Sequence, residues 1–463
     1  MSAPDAAANG THPAREGVPG EAEQPVPGRA SSPDGAANET DTAQEGVTGA
    51  TQQSEPSRAS APDAAANQAA GTEAEAVTTH AEERASAQEG VTGTAQQPGP
   101  SRASALEGIV IADFSRVLAA PYATMVLGDL GAEVVKVEQP GRGDETRTWG
   151  PPHFEGEATY FLSVNRNKMS VQIDLSTRAG REQARELIAR ADVVVENFKP
   201  GTMKKFGLDY ESLGRDDLVY CSISGFGSGK GADLPGYDLL VQAVGGLMSM
   251  TGPGPYEPVK TGVALVDVLT GLHACVGILA ALRHREATGQ GQLVELDLLS
   301  VLLSSMVNQS AGFTLAGSIP KPMGNRHPSI APYEVFPTAD QPMVLAVGND
   351  RQFRRLCSVL DVPELATDER FVTNSARVEH VDELFEVLSA RLRTRPAQHW
   401  FETLTPLGVP CGPVNDIAHA FALAESLDLN PTATIGDMTL VANPIRLSRT
   451  PVTYRLRPPK LEQ

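Results

Sequence analysis

Apolar and polar positions divide the chain at Leu106. Before that residue there is no aromatic side chain, no Leu and no Ile, so the segment has too little apolar surface to offset the entropy of ordering. From Leu106 onward the pattern is that of a folded protein. Ile109, Val110 and Ile111 form a short apolar run between Gly108 and Asp113, which predicts a strand buried on both faces. A helix follows, with Pro121 in its first turn, an apolar face at Val126, Leu127 and Leu130, and Gly131 as its stop. Val134, Val135 and Val137 return as a second strand. Strand, helix, strand implies a parallel sheet with a ligand crevice at the carboxyl ends of its strands. The loops 115–120 and 139–147 lie at that end. Neither carries GxGxxG or GxxxxGK[ST], so the standard nucleotide fingerprints are missing.

The same pattern continues down the chain. Apolar runs at 191–195 and 218–223 predict further buried strands, ending in the loops 196–201 and 224–229. Helical spacing is present at 181–190, 237–250 and 267–284, and an apolar stretch runs through 293–307. From Pro320 turn residues become dense, followed by a strand at 343–347 and charged amphipathic helices at 350–360, 379–393 and 397–404. The expected organisation is a low-complexity tail over 1–105, a large α/β domain over 106–319, a smaller domain over 320–425, and an arm over 426–463 that returns to the large domain.

Composition sharpens this picture. The chain has 463 residues and a formal net charge of −19, of which residues 1–105 carry −10. APDAAAN begins at Ala3 and again at Ala61, which reads as duplicated low-complexity sequence rather than a solenoid, so the tail is expected to be disordered. The acidic balance argues against nucleic acid as a partner. No apolar run approaches a membrane span and no signal-like segment opens the chain, so a cytoplasmic protein without a membrane partner is expected. Cys221, Cys275, Cys357 and Cys411 are scattered and read as packing residues in a reducing compartment. No His, Cys and carboxylate set has metal spacing, and no metal is expected.

The ordered set DFSRVLAAPYAT, LGAEVVKVEQPGRGDETR, NRNKMSVQIDL, VVENFKPGTMKKFGL, SGFGSGKGADLPGYD, VKTGVALVDVLTGLHA, GNRHPSIAPYEVFPTAD and GVPCGPVND resembles the family III CoA-transferases, the group that also holds the alpha-methylacyl-CoA racemases. The resemblance runs from Leu106 to about Leu456. It implies a Rossmann-like large α/β domain with a parallel sheet, a smaller α+β domain, two chains interlocked as a homodimer, and coenzyme A as substrate and acyl carrier. Carried over by motif, the coenzyme A site would involve Arg116, Val117, Leu118, Ala119, Gln139, Ile173, Asp174, Leu175, Ser176, Asn197, Phe198, Lys199, Lys205, Ser224, Gly225, Phe226 and Gly227. Phe198 can cover an adenine, and Arg142 and Lys205 can meet phosphates as cations. At the Lys205 position the family commonly has Arg, so a bidentate contact becomes a point charge.

The resemblance also implies the chemistry, in which an aspartate carboxylate attacks a thioester and then holds coenzyme A as an aspartyl thioester. An ungapped match of 251–262 to the family's TGEPDGPPVKVG-type stretch puts Pro255 where that aspartate is expected, and proline has no nucleophile. Three readings stay open. Glu257 could serve as a displaced carboxylate in transfer between an acyl-CoA and a carboxylic acid. Asp267 could serve proton transfer beside a thioester, as in the racemases, although their histidine falls at Tyr237. The site could instead bind acyl-CoA without chemistry. Asp267 and Asp238 also suit helix N-termini. Gly324, Asn325 and His327 fall in a turn-rich loop expected on the substrate side, whereas His273 reads as a core histidine.

Overall fold

The computed structural model describes residues 104–254 and 256–461. The repetitive acidic tail and Pro255 lie outside the described residues. Six strands form one parallel sheet: β1 Val110–Asp113, β2 Glu133–Glu138, β3 Lys168–Gln172, β4 Val193–Glu196, β5 Val219–Ser224 and β6 Leu293–Asp297. Their spatial order is β3-β2-β1-β4-β5-β6, with every neighbouring pair parallel. The strand order therefore reverses between β1 and β4, and in such sheets ligands bind outside the carboxyl ends at that reversal.

Helix α1 (Ala119–Asp129) follows β1 as the strand, helix, strand pattern anticipates. Helix α2 (Arg178–Ala189) starts where the Thr177 side chain accepts the Gly180 N–H at 3.0 Å, and it buries Ala184, Leu187 and Ile188 on one face. The helix expected over 237–250 is shorter. Helix α3 spans Asp238–Val244 and stops at Gly245 and Gly246, before a single tight turn at Met248–Met250. The apolar stretch 293–307 divides into β6 and helix Leu298–Ser305, where the Asp297 side chain accepts the Ser300 N–H.

Helix α4 (Leu265–Thr288) crosses α1 closely, because a Cβ on Gly271 would stand 2.5 Å from the Ala119 carbonyl oxygen. Its 24 residues reach a mean hydropathy of 2.0 over an 18-residue window, which corrects the expectation that no apolar run approaches a membrane span. Interspersed Gly, Ala and Thr make the run inconspicuous. Less than half of that window (44%) is buried within the chain, against the sheet side. His273 points away from that side and is exposed, so it is not a core histidine; its Nδ1 lies 2.8 Å from the Leu269 carbonyl of its own helix.

A second apolar core gathers Phe336, Leu345, Phe353, Leu356, Leu388 and Trp400 around a three-stranded antiparallel sheet of Tyr333–Phe336, Met343–Ala346 and Cys411–Pro413. The helix read over 379–393 breaks at His380 into Asn374–Glu379 and Val381–Leu392. The extended segment after Asn443 packs back against the end of α1 and the approach to β3. Asp129 at the end of α1 accepts hydrogen bonds from Arg166 (2.6 Å), Asn167 (2.7 Å) and Asn443 (3.0 Å), and its backbone carbonyl accepts the Thr453 N–H.

Candidate functional site

Two adjoining clefts open at the reversal point. The larger, about 600 Å³, is bounded by the end of β1, the loop after β2, the 173–176 segment and Phe198 with Phe206. The smaller, about 390 Å³, runs from Arg116–Ala119 past Phe198 and Gly225 to Tyr237 and Asp267. Arg116, Glu145 and Phe198 line both, so they form one continuous wall. The Arg116 guanidinium lies 5.6 Å from the Phe198 ring centre and 2.9 Å from the Glu145 carboxylate.

Most residues picked from the sequence converge here. Arg116, Gln139, Arg142, Ile173, Asp174, Leu175, Ser176 and Phe198 line the larger cleft. Val117, Leu118, Ala119, Asn197, Lys199, Ser224, Gly225, Tyr237 and Asp267 line the smaller. Gly225 and Gly236 meet across the latter, where a Cβ on Gly225 would lie 2.4 Å from the Gly236 Cα; only glycine fits at that crossing. Phe226 packs instead against the main core, Gly227 donates its N–H to Ser224 Oγ beside a neighbouring crevice, and Lys205 stands exposed on the helix Thr202–Phe206.

The carboxylates fall into different settings. Glu257 is exposed, lines neither cleft, and makes no side-chain hydrogen bond or ion pair among the described residues. Its loop folds back through the Val259 N–H to the Thr251 carbonyl, and the Gly324 N–H reaches the Gly252 carbonyl. Gly324 and Asn325 are exposed, and His327 packs its ring 5.1 Å from that of Tyr333; none of the three lines either cleft. Asp267 is the third residue of α4 and faces the smaller cleft. Burial, and then the charge of Asp238, pushes its carboxyl up to about 7.

Asp238 does not cap its own helix, whose cap position is Tyr237. Its carboxylate instead caps α4, accepting the N–H groups of Val266 (2.7 Å) and Asp267 (3.2 Å). Gln242 holds the other oxygen of Asp238 and accepts the Thr261 N–H at 3.0 Å. A carboxylate near a helix N-terminus is favoured electrostatically, and two there oppose one another. Tyr160, whose phenol is pushed up to about 12 by burial and by Asp267 and Asp238, stands close by as a neutral group.

Sequence reasoning missed Lys136 and Asp144, both on the wall of the larger cleft. Burial alone would neutralise the pair, but opposite charge outweighs it, holding Lys136 above its ordinary value and Asp144 below. The available signal was a lysine in the middle of the valine run VVKVE, at the carboxyl end of a strand expected to be buried.

The CoA-transferase family III profile matches residues 106–463. The chain is 44% identical over 370 residues to the succinate–glutarate CoA-transferase of Agrobacterium fabrum, spanning 77% of this chain and 92% of that relative. It is 40% identical over 366 residues to the Homo sapiens succinyl-CoA:glutarate CoA-transferase, spanning 77% and 84%. A solved CAIB/BAIF family protein from Brucella suis is similar with a TM-score of 0.72 at 42% identity, covering 78% of this chain and 97% of that one. With the parallel sheet and a cleft wall at its reversal point already in place, these matches identify the chain as a member of CoA-transferase family III.

Proposed function

We propose that the protein moves coenzyme A from an acyl-CoA thioester to a free carboxylic acid, with Asp267 as the nucleophile. One observation carries this reading: of the three carboxylates lining the cleft with Arg116–Ala119, Phe198 and Gly225, Glu145 and Asp233 are ion-paired with Arg116 and Lys199 near the surface, whereas Asp267 is largely buried and has no cationic partner among the described residues. An Asp267 oxygen attacks the donor thioester carbonyl, the C–S bond breaks, and coenzyme A leaves as thiolate. The thiolate attacks the aspartyl carbonyl of the mixed anhydride, releasing the donor carboxylate and leaving an aspartyl thioester. The acceptor carboxylate repeats the sequence in reverse, and Asp267 is regenerated. A carboxylate held near 7 is a stronger nucleophile when ionised than an ordinary one. In this scheme the absence of a carboxylate at Pro255 has no chemical consequence.

The relatives named for succinate and glutarate favour short dicarboxylates as donor and acceptor. The chemistry is tested by incubating the protein with succinyl-CoA and trapping with hydroxylamine. The expected label is on Asp267, and Glu257→Gln should keep the transfer rate within about twofold, as for an exposed side chain outside the site. A label on Glu257 would overturn the assignment. Deuterium exchange beside the thioester without coenzyme A exchange would favour the proton-transfer reading, in which Asp267 acts as a base.

A homodimer also belongs to this proposal. Leu272, Val276, Phe313 and Leu315 are exposed, with Leu315 at 87%, an apolar surface of the kind that a second chain covers. Light scattering on the full chain should give twice the 48.9 kDa of one chain; a monomer at micromolar concentration would refute it.

A further inference from the structure

We propose that the buried Lys136–Asp144 ion pair is a positioning device that holds the Ser115–Leu118 backbone in a fixed shape against the acyl-CoA, with Val117 as the residue it constrains. The proposal rests on the CoA-transfer reading of the cleft. Val117 has φ +70°, a left-handed conformation that a β-branched residue strongly avoids. Something outside the residue must hold it there.

The surrounding side chains do so. Lys136 Nζ donates to the Ser115 carbonyl at 2.8 Å and to Asp144 Oδ2 at 2.9 Å, and both side chains are 1% exposed. The Asp144 carboxylate in turn accepts the Val117 N–H at 3.3 Å. From the other side of the reversal point, Asn197 accepts the Arg116 N–H at 2.9 Å and donates to the Arg116 carbonyl at 2.7 Å. The Ser115 N–H is taken by Asp113 at 3.0 Å. Successive polar groups of this backbone, from the Ser115 N–H to the Val117 N–H, are thus engaged by side chains before any ligand arrives.

Such a loop loses less conformational freedom on binding than an unheld one, which is how preorganisation aids affinity. Asp144 is itself fixed, since it accepts the Thr146 N–H and hydroxyl and donates its own N–H to Glu138. The pair is on the wall of the larger cleft, away from Asp267 in the smaller one, and it holds the Ser115 carbonyl and the Val117 N–H, so Lys136 and Asp144 act through the backbone rather than on the reacting atoms.

The test uses the full chain with Asp144→Asn, Lys136→Met, Val117→Gly and the combinations of Val117→Gly with each. An amide at 144 has one acceptor where the carboxylate uses two and no charge opposite Lys136, so the hold is weakened while most of the shape is kept. The expected result for Asp144→Asn is a KM for succinyl-CoA raised about tenfold, kcat within about threefold, and amide exchange of the 115–118 segment faster by at least about tenfold. Adding Val117→Gly should recover most of the KM, because glycine occupies that backbone conformation without being held. Should Asp144→Asn not fold, Lys136→Gln carries the same measurements. Unchanged KM and exchange would overturn the proposal. So would loss of KM, kcat and melting temperature in step, with no recovery from Val117→Gly. The exchange arm needs no substrate. A wild-type protein that neither binds coenzyme A nor forms the aspartyl thioester would therefore defeat the functional reading, while exchange still decides whether the pair holds the loop.

Discussion

Asp267→Asn is expected to lower CoA transfer by at least about 10⁴-fold, the scale seen when a covalent nucleophile is removed, while making the fold more stable at neutral pH. The two effects have one cause. Folding takes the Asp267 carboxyl from an ordinary 3.8 up to about 7, chiefly by burial and then by Asp238. Ionisation is therefore disfavoured in the folded state. This cost is absent below about pH 4, grows as pH rises toward 7, and is fully present above it. Replacing the carboxyl removes the cost, a gain of about 1–3 kcal/mol at pH 8 once its partial contact with water is allowed for, and no gain at pH 4. Chemical denaturation of the two proteins at both pH values checks the sign.

The wild-type rate should rise with pH through about 7 in kcat/KM, because only the ionised carboxyl attacks. A profile flat from pH 5.5 to 8, or a variant that retains transfer, would remove Asp267 from the mechanism.

The second large effect is structural. Asp129→Ala should destabilise the protein by about 3–5 kcal/mol, because it leaves the Arg166 guanidinium buried without its partner. Both side chains are nearly inaccessible, at 4% for Arg166 and 0% for Asp129. The loss also frees Asn443 and Asn167 from a shared acceptor. Limited proteolysis should then cut first after residue 441, where the returning segment is released, and Asp129→Leu with Arg166→Met should recover part of the loss by replacing the pair with apolar contact. Cleavage unchanged from wild type would mean the segment is held by its other contacts, such as Arg455 on the Gly128 and Ala132 carbonyls.

Much of this was legible from residue types alone. The run at Ile109–Ile111, the valines of 134–137 and the Gly131 stop gave one strand, helix, strand unit, and the family resemblance supplied the loops that meet at its carboxyl end. What stayed hidden was spatial. Strand order is set by crossovers between distant segments, so nothing local to Leu293–Asp297 announced an edge strand beside Val219–Ser224. Lys136 sits inside an apolar run, and only the fold brings its partner Asp144 and the Ser115 carbonyl to the same side. Asp238 looked like the cap of the helix it begins, whereas its carboxylate serves a helix that starts 27 residues later. The loop 251–262 matches the family stretch without gaps, but an exposed loop is where alignment says least about position.

The return of the segment after Asn443 bears on how the protein is made. Thr453 and Arg455 complete hydrogen bonds begun at Asp129 and Asn167, roughly 290–325 positions earlier. At ribosomal speeds of about 5–20 residues per second, the first part of the sheet waits on the order of 15–60 s for those partners. Through that interval Asp129, Arg166 and Asn167 have only one another, and the second core around Phe336 and Trp400 is finished first. The end of α1 and the approach to β3 are thus covered after synthesis rather than during it, and a nascent chain stalled near residue 440 should leave that edge open and chaperone-accessible.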